Sequence, residues 1–237
     1  MKETFVVGSL TITKYTVDSF LCNMYVLTTQ KSLCDGNALV IDTIQSEEAL
    51  QDLKRANVKK LTIILTHEHF DHTMGLNWIK GHFDTYSIAH EKCAKKILLP
   101  RNNRSLSIMS TDENSRKYRY YPPYSCKIDK TFCDNLSLQW YGLDIELTGT
   151  PGHTAASCCI RVDSCMFVGD SALLGIPALT RLPGGSQKEF DNITLPFLKT
   201  LNPQIAVFPG HGEIYKVCDV TWQGDCFQVI PEMKGEL

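Results

Sequence analysis

Residues 67–72 read His67-Glu68-His69-Phe70-Asp71-His72, so three of the chain's seven histidines fall within six positions. The stretch follows a short apolar run, 61–65, with the length and composition of a buried strand. Two further histidines repeat this arrangement. Pro151-Gly152-His153 follows the strand-like run 145–147, and Pro209-Gly210-His211 follows 205–208. A carboxylate stands in the same relation in Val168-Gly169-Asp170, after 166–168. Each of these groups comes just after an apolar run and a break, where a rigid scaffold presents function on its strand-end loops. Only His82 and His90 lie elsewhere, and they read as satisfied core or surface residues.

The residue types point to metal. Imidazole suits zinc, iron and related ions, and a carboxylate can bridge two of them. Five histidines and two aspartates (His67, His69, Asp71, His72, His153, Asp170 and His211) exceed the needs of one tetrahedral ion. They suit two ions about 3.5–4 Å apart that share a hydroxide.

The order His67-x-His69-x-Asp71-His72, His153, Asp170, His211 resembles the metallo-β-lactamase superfamily. Pro151-Gly152-His153-Thr154 and Gly169-Asp170-Ser171 look like its later motifs. The resemblance spans residues 61–211. It implies an α/β (α+β) fold, a four-layer αβ/βα sandwich of two mixed β-sheets flanked by helices, with metals at one edge. It also implies ligand roles: His67, His69 and His153 on a first metal, Asp71, His72 and His211 on a second, and Asp170 as the bridge. Enzymes of this fold that destroy β-lactams carry Cys or Ser, or neither, near the step where Asp170 stands. The chain therefore looks closer to the hydroxyacylglutathione hydrolase branch. Two departures from that branch stand out. The 26 residues after His211 are fewer than its helical C-terminal domain needs, and the text 171–186 differs from the usual glyoxalase type.

Composition bounds the rest. The chain has 237 residues, which at roughly 100–200 per domain allows one large domain or two small ones. We expect one domain over 1–237. Lys plus Arg number 24 against 26 Asp plus Glu, a net charge of −2, which argues against a nucleic-acid-coating protein. No apolar run approaches 18 residues, so no membrane span is expected. The first residues alternate and show no apolar signal region, from which a cytoplasmic location is expected. Ten cysteines without any C-x-x-C pair read as reduced thiols, those at 158, 159 and 165 as core.

Strands are expected at 4–7, 10–15, 21–28, 38–44, 61–65, 136–140, 145–147, 157–162, 165–168 and 205–208. A helix should start at an N-cap Ser46 and stop near Asn57. Another should end by Pro100, and a third should place Phe190, Ile193, Phe197, Leu198 and Leu201 on one face. Residues 91–135 read as a cover insertion. Their polar, basic and aromatic stretch, with Arg116 and Tyr118, suits an anionic small-molecule substrate. Arg181 beside Gly184 and Gly185 is a further candidate substrate contact.

The expected activity is a metal-dependent hydrolase acting on a small ester, thioester or related substrate through a hydroxide held by two metals. Asp71 handles the proton, and the cofactor is Zn2+, two per chain, with Fe or Mn as alternatives. Glu68 is read as facing away from the metals. Persulfide dioxygenases of the same family use one iron on two His and one carboxylate, matching His67, His153 and Asp170 here. That oxidoreductase and a phosphodiesterase of the same fold are the alternative readings. Oligomeric state stays open.

Overall fold

The β-branched alternation that opens the chain folds into a meander. β1 (Lys2–Val7), β2 (Leu10–Thr16) and β3 (Asn23–Thr28) pair antiparallel, with Lys2 opposite Tyr15 and Tyr15 opposite Met24. α1 (Gln30–Cys34) follows, closed by a reciprocal cap in which Thr29 Oγ1 accepts from Ser32 N and Ser32 Oγ accepts from Thr29 N. The computed structural model describes residues 1–17, 20–108, 122–223 and 226–229. By the density of contacts the chain divides into two compact units, Met1–Phe132 and Cys133–Leu237.

In the first unit the chain then turns parallel. β4 (Asn37–Ile41) leads through α2 (Glu47–Arg55) to β5 (Lys60–Ile64). Ser46 caps α2 as expected, its Oγ accepting from Ala49 N at 3.2 Å. Asn57 follows the helix in the left-handed region (φ +56°), which asparagine tolerates. α3 (Phe70–Thr73) and α4 (Leu76–Lys80) cross to β6 (Asp84–His90). α5 (Glu91–Lys96) and α6 (Ser105–Ile108) precede β7 (Lys130–Phe132). The seven strands lie in chain order, antiparallel from β1 to β4 and parallel from β4 to β7. After their polar first residues, Asn37 and Lys60, β4 is apolar and buried throughout and β5 is so except at the half-buried Thr62, as expected of parallel strands covered on both faces.

The second unit holds a six-stranded mixed sheet. β8 (Asn135–Trp140), β9 (Leu143–Gly149), β10 (Cys158–Val162) and β11 (Cys165–Gly169) run antiparallel. The chain then passes through α7 (Gln187–Glu189), a π turn (Phe190–Thr194) and α8 (Leu195–Lys199) to β12 (Ala206–Pro209), parallel to β11. Pro196 is the second residue of α8, where its missing N–H does least harm. β13 (Tyr215–Lys216) closes the edge, and a hairpin of β14 (Val220–Gln223) and β15 (Cys226–Val229) follows a 3-10 turn. Val168, Leu198, Val207, Tyr215 and Phe227 share this unit's core. The two mixed sheets expected from the resemblance are therefore present, one per unit.

None of the ten cysteines forms a disulfide: Cys34, Cys133 and Cys218 are exposed and the other seven buried. Burial pushes the Cys126 thiol up to about 11 and the Cys159 and Cys165 thiols up to about 12. The thiolate is the nucleophile, so these groups are inert at neutral pH. Titration of the native protein with a chromogenic disulfide is expected to find three reactive thiols, and ten after denaturation. Cys218 should react slowest of the three, because it bonds to the Asp219 carboxylate. Peptide mapping that found Cys159 modified early in the native state would contradict this.

Candidate metal centre

The chain leaves β5 through Leu65 and Thr66 into the histidine-rich turn. His69 has extended backbone (φ −61°, ψ 146°) and is the N-cap residue of α3. His67 and His69 thus precede the helix, while Asp71 and His72 fall in its first turn. The ring centroids of His67 and His69 lie 4.7 Å apart, and those of His67 and His72 4.3 Å apart. Asp71 Oδ2 is 3.8 Å from His72 Nε2. The three histidines are buried, none more than 5% exposed.

What holds His67 and His72 is Asp42, the residue after β4. It is 2% exposed and adopts φ +56°. Its Oδ1 accepts from Thr66 N at 2.7 Å, and its Oδ2 accepts from Thr66 Oγ1 at 2.7 Å and from His72 Nδ1 at 2.8 Å. A carboxylate only accepts, so His72 Nδ1 carries a proton, and the neutral ring then presents its lone pair on Nε2. The Thr66 hydroxyl gives its one proton to Asp42. Toward His67 Nδ1, 3.1 Å away, it must therefore accept, which fixes the same tautomer in His67. The far end of the turn docks on the strand exit: Thr43 N donates to His72 O at 2.7 Å, and Gly75 N donates to Thr43 O at 3.1 Å. A Cβ on Gly75 would come within 2.3 Å of Ile44 O, so this approach needs glycine. Tyr124 adds a hydroxyl 2.9 Å from Phe70 O and 2.6 Å from Thr73 Oγ1. Burial holds its phenol well above the usual range, so it stays a neutral donor.

The second unit orients its histidine with backbone. His153 Nδ1 donates to Leu179 O at 3.0 Å, again leaving the lone pair on Nε2. The turn before it is locked by Gly152, whose φ is +144° and whose added Cβ would meet the Phe190 Cβ at 2.6 Å. Thr194 Oγ1 donates to Pro151 O at 2.6 Å, Ser186 N to Gly152 O at 2.8 Å, and Ala155 N to Gly184 O at 2.9 Å. Asp170 follows β11 and His211 follows β12. The parallel pairing of those strands sets the two side by side, with Gly210 N donating to Gly169 O at 2.7 Å. Asp170 offers one oxygen to each histidine: Oδ2 lies 3.5 Å from His153 Nε2 and Oδ1 lies 3.6 Å from His211 Nε2.

These donors fit divalent ions of the zinc and iron kind. Three imidazoles give their Nδ1 protons to protein acceptors and present Nε2, and one carboxylate faces two imidazoles with different oxygens.

A family model, the metallo-β-lactamase superfamily, matches residues 18–211. The chain belongs to that superfamily. Membership makes it a metallo-hydrolase by class and accounts for the two mixed sheets. A “Probable metallo-hydrolase” of Methanocaldococcus jannaschii is 27% identical over 169 residues, 70% of this chain and 76% of that one. A hydroxyacylglutathione hydrolase of Aeromonas hydrophila is 24% identical over 137 residues, 58% of this chain and 43% of that one. Among solved structures, a B3 metallo-β-lactamase superposes with a TM-score of 0.67 at 23% identity, covering 92% of this chain and 95% of that one, which shows a shared fold.

Within each unit the structure gathers the residues expected for a superfamily site: His67, His69, Asp71 and His72 in the first, His153, Asp170 and His211 in the second. Arg181 is exposed, in the turn whose Gly185 N donates to Leu182 O at 2.8 Å. Arg116 and Tyr118 lie outside the described residues, as does the rest of 109–121 in the expected cover. His90 is a satisfied core residue, as expected: it is buried, its Nδ1 accepts from Lys92 N at 3.1 Å, and it caps α5. Sequence reading passed over Asp42, Thr66 and the Leu179 carbonyl. Asp42 carried the same signal as Asp170, a carboxylate directly after an apolar run. A carbonyl carries none.

Asp42→Asn keeps the shape but leaves one accepting oxygen for three donors. Metal affinity, measured by chelator competition, is expected to fall roughly 10–100-fold with the fold retained. Unchanged affinity would contradict the orienting role.

Proposed function

We propose that the protein is a two-metal hydrolase of a small ester or thioester. His67, His69 and His153 hold one ion, Asp71, His72 and His211 hold the other, and Asp170 bridges. The observation that carries this reading is the matched proton placement. His67, His72 and His153, from two separate units, each direct Nδ1 to a protein acceptor and reserve Nε2 for a ligand bond. Histidines that bind metal through one nitrogen typically donate the other to a carboxylate or carbonyl. When bound, a pair of divalent ions lowers the pKa of a shared water toward neutrality and polarises a carbonyl oxygen.

The chain's own groups do the rest. Asp71, partly exposed in the first turn of α3, takes the proton of the attacking water on its carboxylate. Asp42 and Leu179 O keep the imidazoles in one tautomer, so no reorientation accompanies the reaction. Arg181 and, in the cover segment, Arg116 and Tyr118 contact an anionic part of the substrate. We take zinc as the metal, with Fe or Mn as alternatives, since imidazole and carboxylate form its usual sites. The thioester branch of the proposal draws on the likeness to hydroxyacylglutathione hydrolase, of which this chain spans 43%. Ten cysteines outside any disulfide suit a reducing compartment such as the cytoplasm. Among the described residues no helix is long and apolar enough to cross a membrane.

Elemental mass spectrometry on protein purified without added metal is expected to find about two zinc ions per chain. One iron per chain without zinc, with oxygen consumed on a persulfide, would overturn the reading. Asp170→Ala is expected to abolish hydrolysis and to lower the metal content. A variant that kept both metals and full activity would refute the bridging role.

A further inference from the structure

Glu68 stands between two candidate ligands, His67 and His69, and is 1% exposed. A carboxylate so buried needs a partner. It has one in Lys96, from the last turn of α5, whose Nζ lies 2.5 Å from Glu68 Oε1. The next residue, Ile97, begins a stapled base. Asn103 Nδ2 donates to Ile97 O at 3.4 Å and to Tyr124 O at 2.9 Å, and Cys126 N donates to Ile97 O at 3.2 Å. Tyr124, on the far side of that base, places its hydroxyl at Phe70 O and Thr73 Oγ1. One stretch of chain thus grips the ligand turn twice, at Glu68 through a charge and at Phe70 and Thr73 through a phenol.

We propose that Lys96 is a positioning residue for the metal centre: through Glu68 it fixes the backbone between His67 and His69, with Tyr124 as its counterpart at the other end of the turn. The proposal rests on the two-metal reading above. A buried pair broken on one side leaves an uncompensated charge, which moves or draws in water and disturbs whatever backbone carries it. Here that backbone carries two imidazoles whose spacing a metal must match.

The test compares Lys96→Met, Lys96→Arg and the double variant Glu68→Gln/Lys96→Met with the unmutated chain. Zinc affinity is read by chelator competition, and ligand geometry by the visible absorption of the cobalt-loaded protein. Lys96→Met is expected to weaken zinc binding about 10-fold or more and to shift the cobalt bands. Lys96→Arg, which keeps the charge, should recover most of both. The double variant leaves no unpaired buried charge, so it decides the question even where Lys96→Met fails to fold. Weaker zinc binding and shifted bands in the folded double variant support the role. Wild-type affinity and an unshifted cobalt spectrum overturn it. Absence of metal binding by the unmutated chain would instead refute the two-metal reading itself.

Discussion

Two oxygens of one buried carboxylate, Asp42, receive three donors from the stretch that carries the first unit's candidate ligands. A buried charge is costly unless its donors are in place, so this cluster forms as a unit or not at all. The sheet register makes it possible. Ile41 of β4 lies beside Ile64 of β5 in a parallel pair, so the residues just past both strands meet at the same edge. Asp42 adopts a left-handed backbone there, which aspartate tolerates better than most residues and which turns it to face Thr66. From that contact follow the tautomers of His67 and His72, and with them the face each ring presents.

The second unit solves the same problem with a neutral acceptor. A carbonyl, Leu179 O, holds His153, and the turn that places it is fixed by steric contacts at Gly152 and Gly185. A Cβ on Gly185 would lie 2.4 Å from Thr180 O and 2.9 Å from His153 O. The two units thus orient their histidines through acceptors of different kinds, a carboxylate behind His72 and a carbonyl behind His153.

The parts of this arrangement that were legible in the sequence are those written in side chains at strand ends. His67, His69, Asp71, His72, His153, Asp170 and His211 each stand after an apolar run, and the strands that precede them form nearly where their β-branched runs lie. The strands that escaped reading are short or mixed. β6 opens on Asp84-Thr85 and carries Ser87, β7 has three residues, and β13 has two. Their pairing is decided by neighbouring strands, which a local pattern does not contain. No strand is expected after 205–208 for the same reason, although Tyr215 and Phe227 belong to the core. Glu68 read as turned away from the metals; its burial against Lys96 depends on α5, 28 positions away.

The claim beneath all of this is that the protein fixes the histidine tautomers before any metal arrives. Long-range proton–nitrogen correlation spectra of the metal-stripped protein, labelled at histidine, test it most directly. The account predicts that the Nδ1 of His67, His72 and His153 carries a proton. Rings protonated on Nε2 alone, or exchanging between the two forms, would contradict it.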